Sequence, residues 1–100
     1  MNEQQIEVLK NALKKYGKQH QMMICMEECA ELIQAISKKM RYLNSAYRRD
    51  ALIEEMADVL ICMEYLRIVE DINQDEIDLV ISNKIKRLNY NISTIDSKMN

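Results

Sequence analysis

Residues 52–69 read LIEEMADVLICMEYLRIV. Apolar side chains stand at Leu52, Ile53, Met56, Ala57, Val59, Leu60, Ile61, Met63, Leu66, Ile68 and Val69. On a helix these positions surround nearly the whole circumference, and a helix apolar on all sides must be covered on all sides. Three other short helices do not achieve that within one chain. The expectation is therefore an all-α, four-helix bundle protomer that assembles into a homodimer or homotetramer. The carboxylates inside this run, where an unpaired carboxylate is costly, include Glu54, Glu55 and Asp58.

A second acidic group lies upstream, Glu27-Glu28-Cys29-Ala30-Glu31, inside the apolar stretch 22–36. Positions three apart share a helix face, ~60° apart around the axis. Glu28 with Glu31, and Glu55 with Asp58, thus form two carboxylate pincers of matching spacing. If their helices pack side by side, four carboxylates converge and raise each other's pKa. A hard divalent cation removes that conflict, and an all-oxygen ligand set suits Mg²⁺, with Mn²⁺ as a substitute. A solvated acidic face is the plainer reading of either pincer alone. The flanking core residues, Ala30 with Leu32 and Ala57 with Val59, favour the metal, and small Ala30 and Ala57 are expected to let the helices approach. A di-iron bundle would need Glu-x-x-His motifs. The one histidine, His20, lies in no such motif and reads as a surface residue near a turn.

The remaining elements follow from periodicity and punctuation. Helix 1 is expected over about 3–16, with Ile6, Leu9, Leu13 and Tyr16 on one face, and the only glycine, Gly17, ends it. Helix 2 is expected over about 19–40, with Met23, Met26, Ala30, Ile33 and Ile36 as its buried stripe. After a polar connection, with Asn44 or Ser45 as N-cap, helix 3 covers about 48–71. Asn73 and Glu76 form a capping-box pattern before helix 4, which is expected to reach about Asn89 with Ile77, Val80, Ile81, Ile85 and Leu88 on one face. Residues 1–91 are expected to make a single domain and 92–100 a flexible C-terminal tail.

Composition narrows the function classes. The 100 residues contain no proline, 48% apolar residues and a net charge of −2, which argue against disorder and against nucleic acid as a partner. No uninterrupted apolar run reaches the ~18 to 20 residues of a membrane span. The region of Glu3, Gln4 and Gln5 does not resemble a signal peptide, so a cytoplasmic location is expected. Three cysteines, Cys25, Cys29 and Cys62, read as reduced core thiols rather than a disulfide framework.

The two acidic motifs, EExxE at 27–31 and ExxD at 55–58 across a spacer of 23 residues, carry a family resemblance. The chain resembles the MazG-like all-α nucleoside triphosphate pyrophosphohydrolases over roughly residues 20–90. Asn83-Lys84-Ile85-Lys86-Arg87 is similar to the basic N-K-x-x-R element late in that domain. The resemblance implies hydrolysis of a (d)NTP substrate to (d)NMP and pyrophosphate. It implies that Glu28, Glu31, Glu55 and Asp58 hold Mg²⁺. It further implies that Glu27, as a catalytic residue, orients water or holds a basic partner, and that Lys84, Arg87 and Asn83 bind the substrate phosphates. Arg48 and Arg49 stand near a helix start, where cations oppose the macrodipole. Pairing with Asp50 or Glu54 is favoured over a phosphate contact, and packing at helix ends is favoured for Tyr42 and Tyr47. The alternative function is a non-catalytic helical oligomerisation and protein-interaction module. A complete four-carboxylate set favours the enzyme.

Overall fold

The computed structural model describes the backbone of residues 1–99 and the side chains of residues 1–94. The chain is all-α: helices α1 (Glu3–Tyr16), α2 (Lys18–Arg41), α3 (Ala46–Glu70) and α4 (Gln74–Met99), with no strand among the described residues. It divides into two compact units, Met1–Glu70 with α1 to α3, and a second from Asp71 onward with α4.

Local chemistry explains each boundary. Asn2 and Gln5 cap α1 reciprocally: Gln5 N–H donates to Asn2 Oδ1 at 2.8 Å and Asn2 N–H to Gln5 Oε1 at 2.9 Å. Gly17 closes α1 and opens α2 at φ +90, a backbone state that side chains disfavour. Ser45, not Asn44, caps α3, accepting the Arg48 N–H at 3.1 Å. Asp71, at φ 53, follows the end of α3 in the left-handed region, which aspartate tolerates. Asn73 Oδ1 accepts from Asp75 N–H, and Glu76 reaches back to Asn73 N–H, which starts α4 as the capping pattern anticipates. α4 then runs past the expected end at Asn89. Ile92 extends the Ile85–Leu88 stripe, and the Ser93 and Thr94 hydroxyls bond to the carbonyls of Asn89 and Tyr90 within the helix. Asn100 of the expected tail lies outside the described residues.

α2 and α3 form the principal packing of the first unit, and α1 lies against both. The connection between α2 and α3 spans only residues 42–45, which forces an antiparallel hairpin. Cys25 meets Cys62, Glu28 meets Asp58, and Glu31 meets Glu55. Numbers rise on α2 as they fall on α3, so one register governs the whole seam.

That register corrects the expected buried stripe of α2. Met23, Met26, Ala30, Ile33 and Ile36 are exposed on the chain. The face turned to α3 carries Cys25, Glu28, Leu32 and Ala35 instead, all buried or half-buried. Ala30 and Ala57 are exposed too, while Ala35 and Ala51 are half-buried and line a cavity in the hairpin. Periodicity finds an apolar face but cannot say which of two such faces the same chain covers. Here the seam holds carboxylates, and the more apolar face stays open.

Candidate metal centre

The pincers meet in the seam. One carboxylate oxygen from each of Glu28, Glu31 and Glu55 lies within 4.8 Å of the others. Asp58 stands outside this tight trio but within hydrogen-bonding reach of Glu28, as Glu31 does of Glu55. The structure therefore brings together all four of the residues that the sequence places in pincers. The cause is the hairpin register: α2 supplies Glu28 and Glu31 one turn apart, and α3 supplies Asp58 and Glu55 in reverse order opposite them.

The electrostatics follow from this crowding. Glu28 is raised from 4.5 to about 7, first by burial, then by the Asp58 contact, then by the charges of Asp58, Glu31 and Glu55. Glu55 is also raised, by burial first and by the charges of Glu31 and Asp58 next. Glu28 and Glu55 are half-buried as residues, yet the inward Oε2 of each is fully buried and has no hydrogen-bond partner. A buried carboxylate oxygen without a donor costs about 1 to 3 kcal/mol, more when charged. No lysine or arginine pairs with the cluster among the described residues; the ion pair of α3 joins Arg67 to Glu64 instead. Hard oxygens, negative charge and two orphaned lone-pair sets fit a hard divalent cation. Of the three thiols, Cys25 and Cys62 are buried in the seam, where Cys25 donates to the Cys62 carbonyl at 3.7 Å and burial pushes Cys62 up to about 12, while Cys29 is exposed rather than in the core.

The other sequence candidates are placed more simply. Glu27 is exposed, one position from Glu28 and outside the trio. Asn83, Lys84 and Arg87 are exposed on α4, where Lys84 and Arg87 share a face. His20 is exposed beside Tyr16, their rings 5.8 Å apart. Arg48 corrects the expectation of a local ion pair. It pairs with neither Asp50 nor Glu54; its guanidinium carbon sits 5.2 Å from the Tyr42 ring centroid and 5.3 Å from that of Tyr47. Lys38, in the last turn of α2, is not among the residues that the sequence singles out. The hairpin register brings it to the same cavity as Arg48.

The family model described as the MazG nucleotide pyrophosphohydrolase domain matches residues 16–89, a span that contains both acidic pincers and the α4 basic element. No curated protein and no solved structure gives a significant match.

Proposed function

Because the chain belongs to the MazG nucleotide pyrophosphohydrolase domain family, we propose that it hydrolyses nucleoside triphosphates, ribo or deoxy, to the monophosphate and pyrophosphate in a Mg²⁺-dependent reaction. The observation that carries the reading is the set of converging carboxylates with two buried oxygens that no donor satisfies. Glu28, Glu31, Glu55 and Asp58 are the ligands, and Mn²⁺ can replace Mg²⁺ on the same oxygens. The ion, when bound, neutralises charge on the phosphate chain and on the attacked α-phosphoryl group. The four carboxylates orient that charge by their fixed places on two packed helices. Water adds to the α-phosphorus, and the bond from that phosphorus to the bridging oxygen of the β-phosphate breaks. Glu27 is assigned to orienting the water; its exposure next to Glu28 leaves it free to do so. Asn83, Lys84 and Arg87 are assigned to the phosphates on the family pattern, as exposed polar and charged side chains.

The working form is a homodimer or homotetramer in the cytoplasm. Support comes from the apolar side chains left open on one chain: Met26 is 66% exposed, Ile33 69% and Leu60 63%. Among the described residues only Leu9, Cys25 and Cys62 are buried apolar residues, a small core for a chain of this length. No described helix is long and apolar enough to cross a membrane.

The test is a hydrolysis screen over NTPs and dNTPs with Mg²⁺, reading pyrophosphate separately from orthophosphate. The expected products are pyrophosphate and monophosphate. Orthophosphate released from the γ position would mean a different reaction. No turnover, together with no response to Mg²⁺, would leave a non-catalytic assembly module as the better account. Light scattering should give a mass at least twice the 11.8 kDa of one chain, and a stable monomer would remove the oligomer.

A further inference from the structure

A cavity of about 290 Å³ opens beside the carboxylate cluster. Glu31 and Glu55 line it, so it shares these two residues with the cluster. Lys38, Tyr47 and Arg48 line it as well, and Ala35 and Ala51 leave it room. One cavity thus carries two carboxylates and two cations, and the cations are not ion-paired with the carboxylates.

Arg48 is held in this place at some cost. It lies in the first turn of α3, where a cation opposes the helix dipole, and no acidic residue shares that turn. Its N–H is fixed by the Ser45 hydroxyl at 3.1 Å. Its guanidinium carbon is held against the rings of Tyr42 and Tyr47, at 5.2 and 5.3 Å. Such stacking restrains the side chain without using its five donors, which lie in the guanidinium plane. It has no ion-pair partner among the described residues. The short turn between α2 and α3 therefore prepares a cation whose hydrogen-bonding capacity is unspent.

We infer that Arg48, with Lys38, grips the outer phosphates of the substrate, the part that leaves as pyrophosphate. The inference rests on the hydrolysis reading above and adds residues of the hairpin to it. The chemistry of the cavity selects this ligand. A carboxylate wall repels an anion unless a cation covers it, and the adjoining cluster is where such a cation fits. An anion there can then touch the covered carboxylates on one side and a guanidinium on the other. A phosphate chain has the charge, and its paired oxygens match the planar fork of arginine. A base is a poorer occupant, because Arg48 already takes a face of each tyrosine ring.

The test is calorimetric binding of inorganic pyrophosphate in Mg²⁺, where no turnover occurs, on wild type, Arg48→Ala, Arg48→Lys and Lys38→Ala. Removing charge-assisted hydrogen bonds should weaken pyrophosphate about tenfold or more in Arg48→Ala. Arg48→Lys should fall between, since it keeps charge but loses the fork, and Lys38→Ala should lose less than Arg48→Ala. Binding of the nucleoside monophosphate product should stay within about twofold of wild type, well short of the tenfold step worth 1.4 kcal/mol. In turnover, Arg48→Ala should raise KM more than it lowers kcat. Unchanged pyrophosphate binding in both alanine variants overturns the inference while leaving the hydrolase intact. An equal loss of monophosphate binding also overturns it, and places the nucleoside end in the cavity. Failure of wild type to hydrolyse any triphosphate sinks the hydrolase reading instead, and the pyrophosphate measurement still decides whether the cavity takes this anion. If Arg48→Ala fails to fold, judged by its melting curve, Arg48→Lys and Lys38→Ala carry the test.

Discussion

Glu55 and Glu64 stand on the same helix, both half-buried, and meet opposite fates. Glu64 accepts from both Nε and a terminal nitrogen of Arg67, each at 2.8 Å, and that guanidinium holds its carboxyl below the ordinary range. Glu55 has no cation, carries a buried oxygen with no donor, and is pushed up by burial and by Glu31 and Asp58. α3 thus contains both a solved and an unsolved version of one electrostatic problem. Helices readily supply a basic partner three or four residues away, as Arg67 demonstrates. The seam around Glu55 has none among the described residues, and its neighbours across the hairpin are further acids. A site left unsolved in this way costs stability, and ligand binding is the natural compensation.

The largest expected difference between the two glutamates is in rate. Glu55→Gln should lower hydrolysis about 100-fold or more, because charge stabilisation by a bound ion is worth several kcal/mol. Glu64→Gln should stay within about twofold of wild type, as a paired residue outside the cluster whose loss has only a local effect. Steady-state kinetics on both variants checks this. Full activity in Glu55→Gln would end the metal mechanism.

Metal-linked stability comes next. Mg²⁺ at a hundredfold excess over its Kd should stabilise wild type by about 2.7 kcal/mol, a Tm rise on the order of 10 °C. Differential scanning fluorimetry should find the same rise in Glu64→Gln and little in Glu55→Gln. A rise that survives in Glu55→Gln would move the ion away from the seam.

A smaller effect separates the two sites in the absence of metal. Arg67→Ala should cost about 0.5 kcal/mol, the scale of a helix-surface ion pair, and lower Tm by about 2 to 4 °C. Glu55→Gln in chelator should instead hold or raise Tm, because it removes one of several repelling charges. Equal losses in the two would mean that the seam carboxylates are paired after all.

The finest test is pH in chelator. Glu28 stands at about 7 folded against an ordinary 4.5. Its contribution to stability is therefore fully present below the ordinary value and is lost as the pH rises through about 7. Glu64 is lowered, so its contribution is present above its ordinary value and is lost only as the pH falls through the lowered one. Melting curves between about pH 7.5 and 5.5 see the first and not the second. Tm should rise on acidification across that window, and Glu28→Gln or saturating Mg²⁺ should flatten the slope. A fall in Tm over the same window would contradict the crowding of Glu28.

Much of this molecule was legible as pattern. The spacing of apolar residues, one glycine and two capping motifs located four helices, because helix propensity, caps and breakers act over a few residues and leave their marks in order along the chain. Two acidic pincers announced a cluster of carboxylates, because spacings of three are geometry on any helix. The end of α4 was less legible, since side-chain-to-backbone bonds from Ser93 and Thr94 add nothing to apolar periodicity. What the tertiary structure alone decided was pairing across the hairpin. Which apolar face of α2 turns inward depends on the register of α3, and Glu28, rather than Met26, took the seam. The same register set Lys38 and Arg48 around one cavity and gave Arg48 two tyrosine rings in place of a carboxylate. Local composition carries no information about such long-range coincidences, because they arise only when two helices are laid side by side at one particular offset.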